Sequence, residues 1–307
     1  METTSPSPDD DPNDEKWDKN LVLTLIGFIC FEIVISSYLN MKLVMISYKI
    51  RKKERKSLYY NVMMLMSLIS SLNTFFFIVM LIWTLYFRRA GIPNQVLYVP
   101  LCFIITSPSL ILLLDFLLCV HRICVFFLKG SRPKIMTKWF PISGPLIFLL
   151  LAPIILYLSF LTFYSTYGKV FSPRVSLNRF VRASWIDTSV KLFCSIFALI
   201  GYLAIQKSLH KIIQSNIFGH EDSVIVRQAI PISIFELIIA LYNFLMTTES
   251  SRNIHVIYRL LIYASLSCLC STVVPFSLIF GSRVKRKLFC SCCSTEVEVR
   301  TSQQAFA

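Results

Sequence analysis

The sequence predicts an all-α membrane protein built as a seven-transmembrane helix bundle, and three observations support this prediction. Hydrophobic residues make up 55% of the 307 residues and only 16% are charged, whereas soluble domains are nearer a quarter charged. The mean hydropathy is +0.64. Seven apolar windows have about the length that a helix needs to cross a bilayer, which is roughly 20 residues. The chain is therefore expected to lie in a membrane.

The seven windows are bounded by charged or turn-forming residues. They are 21–41, 58–87, 96–120, 139–163, 186–205, 229–246 and 258–280. The second is longer than one crossing needs, and the sixth is short and carries Glu236 and Asn243. We therefore expect an acidic N-terminal segment over 1–20, the bundle over 21–281 and a tail over 282–307.

Charges outside the windows predict the orientation. Nineteen Lys and Arg residues fall in the connections on one side and ten on the other, which places the N-terminus outside and the C-terminus in the cytoplasm. The acidic start of the chain lacks the basic region of a cleaved signal peptide. The net charge of +14 is spread over short flanks of apolar segments. This pattern favours contacts with anionic inner-leaflet lipids over nucleic-acid binding.

Two segments resemble signatures of G-protein-coupled receptors. His121-Arg122-Ile123 stands where the third helix reaches the cytoplasm and resembles the Asp-Arg-Tyr element of that family. In the seventh window, Pro275 is the residue retained from the Asn-Pro-x-x-Tyr element. The resemblance implies that Arg122 pairs inside the bundle at rest and is released on activation. The alternative is that Arg122 simply reaches the lipid headgroups.

The tail resembles the same family. Residues 281–289 are similar to the short amphipathic helix that these receptors lay on the inner leaflet. Cysteines follow at positions where receptor tails are often palmitoylated: Cys290, Cys292 and Cys293. There are departures too, since no cysteine lies between Phe163 and Trp185 and Pro231 stands at the inner start of the sixth window. The compact, Phe- and Ile-rich chain most resembles the nematode serpentine chemoreceptors. This resemblance implies a small external ligand, a heterotrimeric G protein and the plasma membrane.

Acidic residues inside the windows are the first candidates for function, because ionisable groups are expensive in a membrane. Asp115 lies seven residues before Arg122, or ~10.5 Å along a helix, and is one candidate partner for it. Glu236 lies at a comparable depth in the sixth window. The two acids are expected to act in structure or gating, to share a proton or a cation, or to contact a ligand. Glu32, near the middle of the first window, is expected to face the bundle, either as a protonated or hydrogen-bonded group packed on the second or seventh helix or as part of a ligand or ion site.

Polar residues in the second window follow helical spacing. Ser67, Ser70, Ser71 and Thr74 stand at offsets of zero, three, four and seven, which predicts one small polar face for close helix packing. Asn73 beside this face is expected to serve it, and is kept as a candidate for a ligand pocket.

The outer side offers further ligand candidates. Asp187 and Lys191 are spaced i and i+4 at the start of the fifth window, which favours an intrahelical pair. The basic loop before them would attract acidic ligands, unless the acidic N-terminus neutralises it. Trp185 lies at the same level, where a membrane-interface anchor would explain it equally well.

Catalysis and metal binding find little support in the sequence. The four histidines lack metal-ligand spacing, and we expect neither an enzyme nor a cofactor. Two function classes remain: a chemosensory receptor, or a transporter or channel that would use Glu32, Asp115 and Glu236 along its path. Transporters usually contain internal repeats, and none is visible in the sequence.

Overall fold

The computed structural model describes residues 19–54, 58–83, 98–127, 132–171, 181–213, 220–247 and 256–291, and all of its regular structure is helical. These residues form eight helices: α1 Lys19–Glu54, α2 Leu58–Ile82, α3 Tyr98–Phe127, α4 Arg132–Phe171, α5 Val181–Ile213, α6 His220–Thr247, α7 Val256–Phe280 and α8 Arg283–Ser291. Each of the first seven contains an apolar stretch long enough to cross a membrane. The prediction of a seven-helix multi-pass membrane protein is confirmed at this level.

Several helices run past the apolar windows. The first window ends at residue 41, but α1 continues to Glu54 and buries Leu43, Ile46 and Ile50. A window ends at the first charged residue, whereas a helix continues as long as its backbone bonds do and one face can pack. For the same reason α3 continues to Phe127 and α6 begins at His220. The second window extends beyond the end of α2, into positions outside the described residues.

The centre of the bundle is formed by α3 and α7. Helix α3 contacts α2, α4, α5, α6 and α7. About 61% of the apolar span of α7 is buried, against 22% for the spans of α1 and α4. The side chains that α4 leaves exposed are largely apolar: Leu146, Leu149, Leu150, Ile154 and Tyr157. An apolar surface of this extent fits hydrocarbon and not water.

Two ends of the bundle are named here by the direction of the chain. The amino face is the end where α1, α3, α5 and α7 begin, and the carboxyl face is the end where they finish. At the carboxyl face Ser282 caps α8, because its Oγ accepts a bond from the Lys285 amide at 3.4 Å. The Phe289 ring packs on Phe280 and Tyr38, with centroids 5.4 and 6.2 Å apart. Helix α8 is thereby held against α7 and α1.

Candidate functional site

Prolines inside helices leave backbone carbonyls that neighbouring helices bond. The N–H of residue i in an α-helix donates to the carbonyl of residue i−4, and proline has no N–H. Pro275 inside α7 therefore leaves the Ser271 carbonyl open. Three side chains donate to it: Ser36 Oγ at 2.9 Å, Asn40 Nδ2 at 3.2 Å and Ser70 Oγ at 2.8 Å. The carbonyl left open by Pro275 is thus bonded from α1 and α2, as expected for proline in membrane helices.

Pro108 inside α3 produces the same arrangement. The Ile104 carbonyl, four residues earlier, accepts a bond from Ser267 Oγ at 3.0 Å. The next carbonyl, of Ile105, accepts a bond from Tyr263 Oη at 2.8 Å. The Ser267 and Tyr263 donors both belong to α7. The two central helices are therefore joined at the level where Pro108 removes a backbone hydrogen bond from α3.

Pro231 lies inside α6 and not at its start, since α6 begins eleven residues earlier at His220. Three residues before Pro231, the Gln228 carbonyl accepts a bond from Ser277 Oγ at 2.6 Å. Gln228 Nε2 donates in return to the Leu278 carbonyl at 2.6 Å. Gly281 is in close contact with Gln228 and leaves no room for a Cβ atom. These contacts hold α6 to α7 at the carboxyl face.

The polar face of α2 is built into this network. Asn73 Nδ2 donates to Ser271 Oγ at 2.7 Å and to the Ser267 carbonyl at 3.1 Å. Thr74 and Ser36 hydroxyls lie 2.7 Å apart. The face therefore supplies hydrogen bonds between helices in addition to close packing, and Asn73 lies in the contact between α2 and α7.

Glu32 lies in a separate place between α1 and α7. Its side chain is 3% exposed, and Ser265 Oγ lies 3.2 and 3.3 Å from its two carboxyl oxygens. As predicted from the sequence, Glu32 faces the bundle.

Asp115 connects three helices. It is fully buried on α3. Ser233 Oγ of α6 donates to its Oδ2 at 2.5 Å, and Tyr202 Oη of α5 donates to its Oδ1 at 3.1 Å. Asp115 is therefore bonded from two neighbouring helices, while its pairing with Arg122 stays a prediction.

Glu236 lies one helical turn from Ser233 on α6 and is 2% exposed. The Cys270 thiol of α7 donates to its Oε1 at 3.3 Å. Through its bond with Ser233, Asp115 of α3 lies beside the turn of α6 that precedes Glu236, so the two acids are at the comparable depth that the sequence predicts. Each has its own hydrogen-bond donor.

The intrahelical pair predicted on α5 is formed, and it is buried. Lys191 Nζ lies 2.7 Å from Asp187 Oδ2, and it also donates to Ser159 Oγ of α4 at 2.9 Å. Thr162 Oγ1 of α4 donates to the same Asp187 oxygen at 2.8 Å. Ser159 in turn donates to Ser109 Oγ of α3 at 3.0 Å. The pair joins α5 to α4 and, through Ser159, to α3.

A small cavity lies between α3, α5, α6 and α7, towards the amino face from Asp115. We call it the Glu236 cavity. It is lined by Pro108, Ser109, Leu112, Lys191, Glu236, Ile239, Ala240, Asn243 and Tyr263. Its volume, counted for the centre of a water molecule, is about 10 Å³, which is close to what one water needs.

A second cavity opens at the carboxyl face between α3, α5 and α6. We call it the Arg122 cavity; it has a volume of about 20 Å³ on the same measure and is lined by Arg122, Val125, Phe126, Ile205, Ile225 and Val226. Arg122 is half-buried, and His121 beside it is buried. Helix α3 continues for five residues beyond Arg122, so Arg122 lies within the bundle and not at the end of the helix.

Trp185 and Cys290 are two further predicted site residues, and neither lines the Glu236 cavity or the Arg122 cavity. Trp185 is 38% exposed and its ring meets Phe244 of α6 edge to face, with centroids 5.6 Å apart. Cys290 is exposed near the end of α8. Cys292 and Cys293 lie outside the described residues.

Sequence reasoning missed the partners of the acids. Tyr202 and Ser233 bond Asp115, and Gln228 joins α6 to α7, yet none of them stood out. A hydroxyl or amide inside an apolar window is a signal of an interhelical bond, but the partner depends on packing. Pro108 was overlooked, although it lies inside the third window.

Among the described residues, no group of three or more His, Cys, Asp or Glu side chains is placed to hold a metal ion. The acids and the two cavities are the chemically distinctive features of the bundle. No protein-family model matches the chain, and no curated protein matches it.

Proposed function

We propose that this chain is a G-protein-coupled chemosensory receptor of the plasma membrane, with its amino face outside and its carboxyl face in the cytoplasm. The observation that carries the proposal is the position of Arg122, which lines a cavity between α3, α5 and α6 at the end of the bundle where α8 follows. A cytoplasmic partner that contacts Arg122 has to widen this cavity. Movement of α6 away from α3 would do so.

Two sets of bonds keep α6 in its present place and supply the element that a ligand would shift. Ser233 bonds Asp115 on α3, and Gln228 bonds the carboxyl end of α7. Breaking both sets of bonds would release the first half of α6, which lies at the carboxyl face of the bundle. A ligand that binds nearer the amino face and makes better contacts in the released state would raise the population of that state.

In the proposed orientation, α8 would contact lipids of the inner leaflet. Its exposed basic residues, Arg283, Arg286 and Lys287, would meet anionic inner-leaflet lipids. Exposed Cys290 would then lie near the membrane surface as a site for lipidation. Cys292 and Cys293 follow it in the sequence as further lipidation candidates.

The placement of the acids supports a receptor over a transporter or channel. Glu32 is bonded by Ser265, and Glu236 by Cys270. These two residues of α7 are five positions apart and hence roughly 140° apart around the helix. Glu32 lines neither cavity, and Asp115 is held by Ser233 and Tyr202. Glu32 therefore lies in a contact between α1 and α7, apart from the contacts of α6 in which Asp115 and Glu236 lie.

The test is a compound screen on cells that express the full chain with a tag at each end. We expect the N-terminal tag to be accessible on intact cells and the C-terminal tag only after permeabilisation. Odorants and other small molecules are then screened by calcium imaging. Arg122→Ala should abolish the response to an active compound, while Arg182→Ala, which removes an exposed arginine near the amino face, should leave it unchanged.

Three results would contradict the receptor proposal. The first is that the two tags are accessible from the same side of the membrane. The second is that Arg122→Ala signals as fully as the unaltered chain, and the third is a ligand-evoked current in cells that lack G proteins. The last result would support the channel alternative.

A further inference from the structure

We propose that the Glu236 cavity binds a small ligand bearing a protonated amine, with its ammonium group against the Glu236 carboxyl group. This proposal rests on the receptor function proposed above and names the chemical class of its ligand.

The first argument is the balance of charge around the cavity. Lys191 and Glu236 both line it. The Lys191 ammonium is already paired with Asp187 at 2.7 Å and bonded to Ser159 at 2.9 Å. Among the described residues, the donor to Glu236 is the Cys270 thiol, and a thiol is a weak donor. The Lys191 charge acts on Glu236 only from a distance, because its ammonium is in contact with Asp187. Among the described residues Glu236 therefore has no cation in direct contact, and a ligand cation would supply one.

An anionic ligand would be the poorer fit for the same reason. It would have to compete with Asp187 for Lys191 and would add a negative charge to a site that already has two carboxyl groups. Like charges in a medium of low dielectric constant repel strongly. The charges around the cavity therefore favour a cation, in contrast to the acidic ligands that the basic sequence before the fifth window would attract.

The other walls describe the rest of the ligand. Pro108, Leu112, Ile239 and Ala240 offer apolar surface, which suits a short hydrocarbon body. Asn243 lines the cavity nearer the amino face, and its side-chain amide makes no hydrogen bond with the described residues. A ligand could carry a second polar group towards it.

The cavity is too small for such a molecule as it stands. About 10 Å³ for the centre of a water molecule admits a single water, so an amine enters only if α6 moves away from α3 and α7. Glu236 is one turn from Ser233, which holds α6 to Asp115. Widening the cavity therefore pulls on the contact that must break in the proposed active state. Ligand binding and release of α6 are coupled in this way.

The first experiment measures binding on the purified full chain in detergent. Thermal unfolding is followed with n-butylamine, n-butanol and butyrate, which share a chain length and differ in charge. We expect the amine alone to raise the unfolding temperature. Glu236→Gln should weaken amine binding by about 10- to 100-fold, the range expected for loss of a hydrogen bond to a charged group. Glu32→Gln, a second buried acid outside the cavity, is the matched control and should bind the amine normally.

A second variant keeps the test decisive if Glu236→Gln does not fold. Ala240→Val narrows the cavity and leaves the acid in place, so it should also weaken amine binding. No stabilisation by the amine, or equal stabilisation by the amine and butyrate, would overturn the site.

The same compounds are then applied to cells with calcium imaging. Amine binding with a calcium response supports both proposals. Amine binding without a response would leave the site standing and count against the receptor function. A response to the alcohol or the acid without amine binding would leave the receptor function standing and overturn the site.

Discussion

The contacts of α1 and α2 with α7 differ in kind from those between α3, α5 and α6. In the first region, neutral hydroxyl and amide groups bond each other and the carbonyl freed by Pro275, and the acid Glu32 lies apart from these groups with a bond from Ser265. In the second region, Asp115, Glu236 and the Lys191–Asp187 pair are buried beside two cavities. The comparison suggests one region built to stay fixed and another whose contacts can be exchanged. Neutral hydrogen bonds hold a packing, whereas buried ionisable groups respond strongly to a new charge or partner.

The largest expected effect comes from the region that holds the charges. Lys191→Met should lower the free energy of unfolding by about 3–5 kcal/mol, because Asp187 then stays buried without its cation. Lys191→Met combined with Asp187→Leu should cost less than Lys191→Met alone. Thermal or denaturant unfolding of the detergent-purified chain measures both. A double variant less stable than the single one would contradict the explanation.

The next effect tests the α1–α2–α7 region. Ser36→Ala, Asn40→Ala and Ser70→Ala together remove all three donors to the Ser271 carbonyl. The buried, unpaired carbonyl should cost about 1–3 kcal/mol. Adding Pro275→Ala restores the backbone N–H that can bond this carbonyl, so it should recover part of the loss.

The same Pro275→Ala change in the otherwise unaltered chain is the control, and there it should bring no comparable gain. Unfolding measurements on the four proteins form a double-mutant cycle. Purely additive effects would show that the three side chains do not compensate for the proline.

A smaller effect is expected in the contact that holds α6 to α3. Ser233→Ala removes the donor to Asp115 Oδ2, while Tyr202 still bonds Oδ1, and one intramolecular hydrogen bond is typically worth about 0.5–1.5 kcal/mol. On the receptor proposal, basal signalling should rise several-fold because the resting state is weakened more than the active one. Ser265→Ala removes the donor to Glu32 in the other region and is the matched control. Equal basal signalling in the two variants would remove the distinction between the regions.

The smallest effect is expected for Glu32→Gln. A glutamine oxygen can accept the Ser265 bond as the carboxyl group does, and it carries no charge that needs a partner. We expect a change in unfolding free energy below about 1 kcal/mol. A loss of unfolding free energy as large as that of Lys191→Met would show that Glu32 has a charged partner. Glu32 would then belong with the contacts that can be exchanged.

Hydrophobic length made the helical architecture predictable, but it did not set the ends of the helices. Every predicted window overlaps one of the helices α1 to α7, since an apolar stretch in a bilayer has to satisfy its own backbone bonds. The ends differ because polar residues such as Lys42 and Arg122 continue a helix that packs on one face. Pro231 is an example: it stands near the start of the predicted window at residue 229, but α6 begins at His220, so Pro231 lies inside the helix.

The site was predictable in part. Asp115, Glu236 and Glu32 stood out because ionisable residues are rare in apolar segments, and spacing alone predicted the Asp187–Lys191 pair. Their partners could not be found in this way. Ser233, Cys270 and Ser265 are ordinary small residues of such helices, and each becomes a partner only through the rotation and depth of its helix.

By itself, the sequence determined a membrane chain with seven helical crossings and buried acids, because hydrophobic transfer and backbone hydrogen bonding are local properties of each segment. The tertiary structure decided which donor each acid has, which helices bond the carbonyls left by Pro108 and Pro275, and that Glu236 lines a cavity together with Lys191. These features depend on how helices rotate and approach one another, and no single segment encodes that.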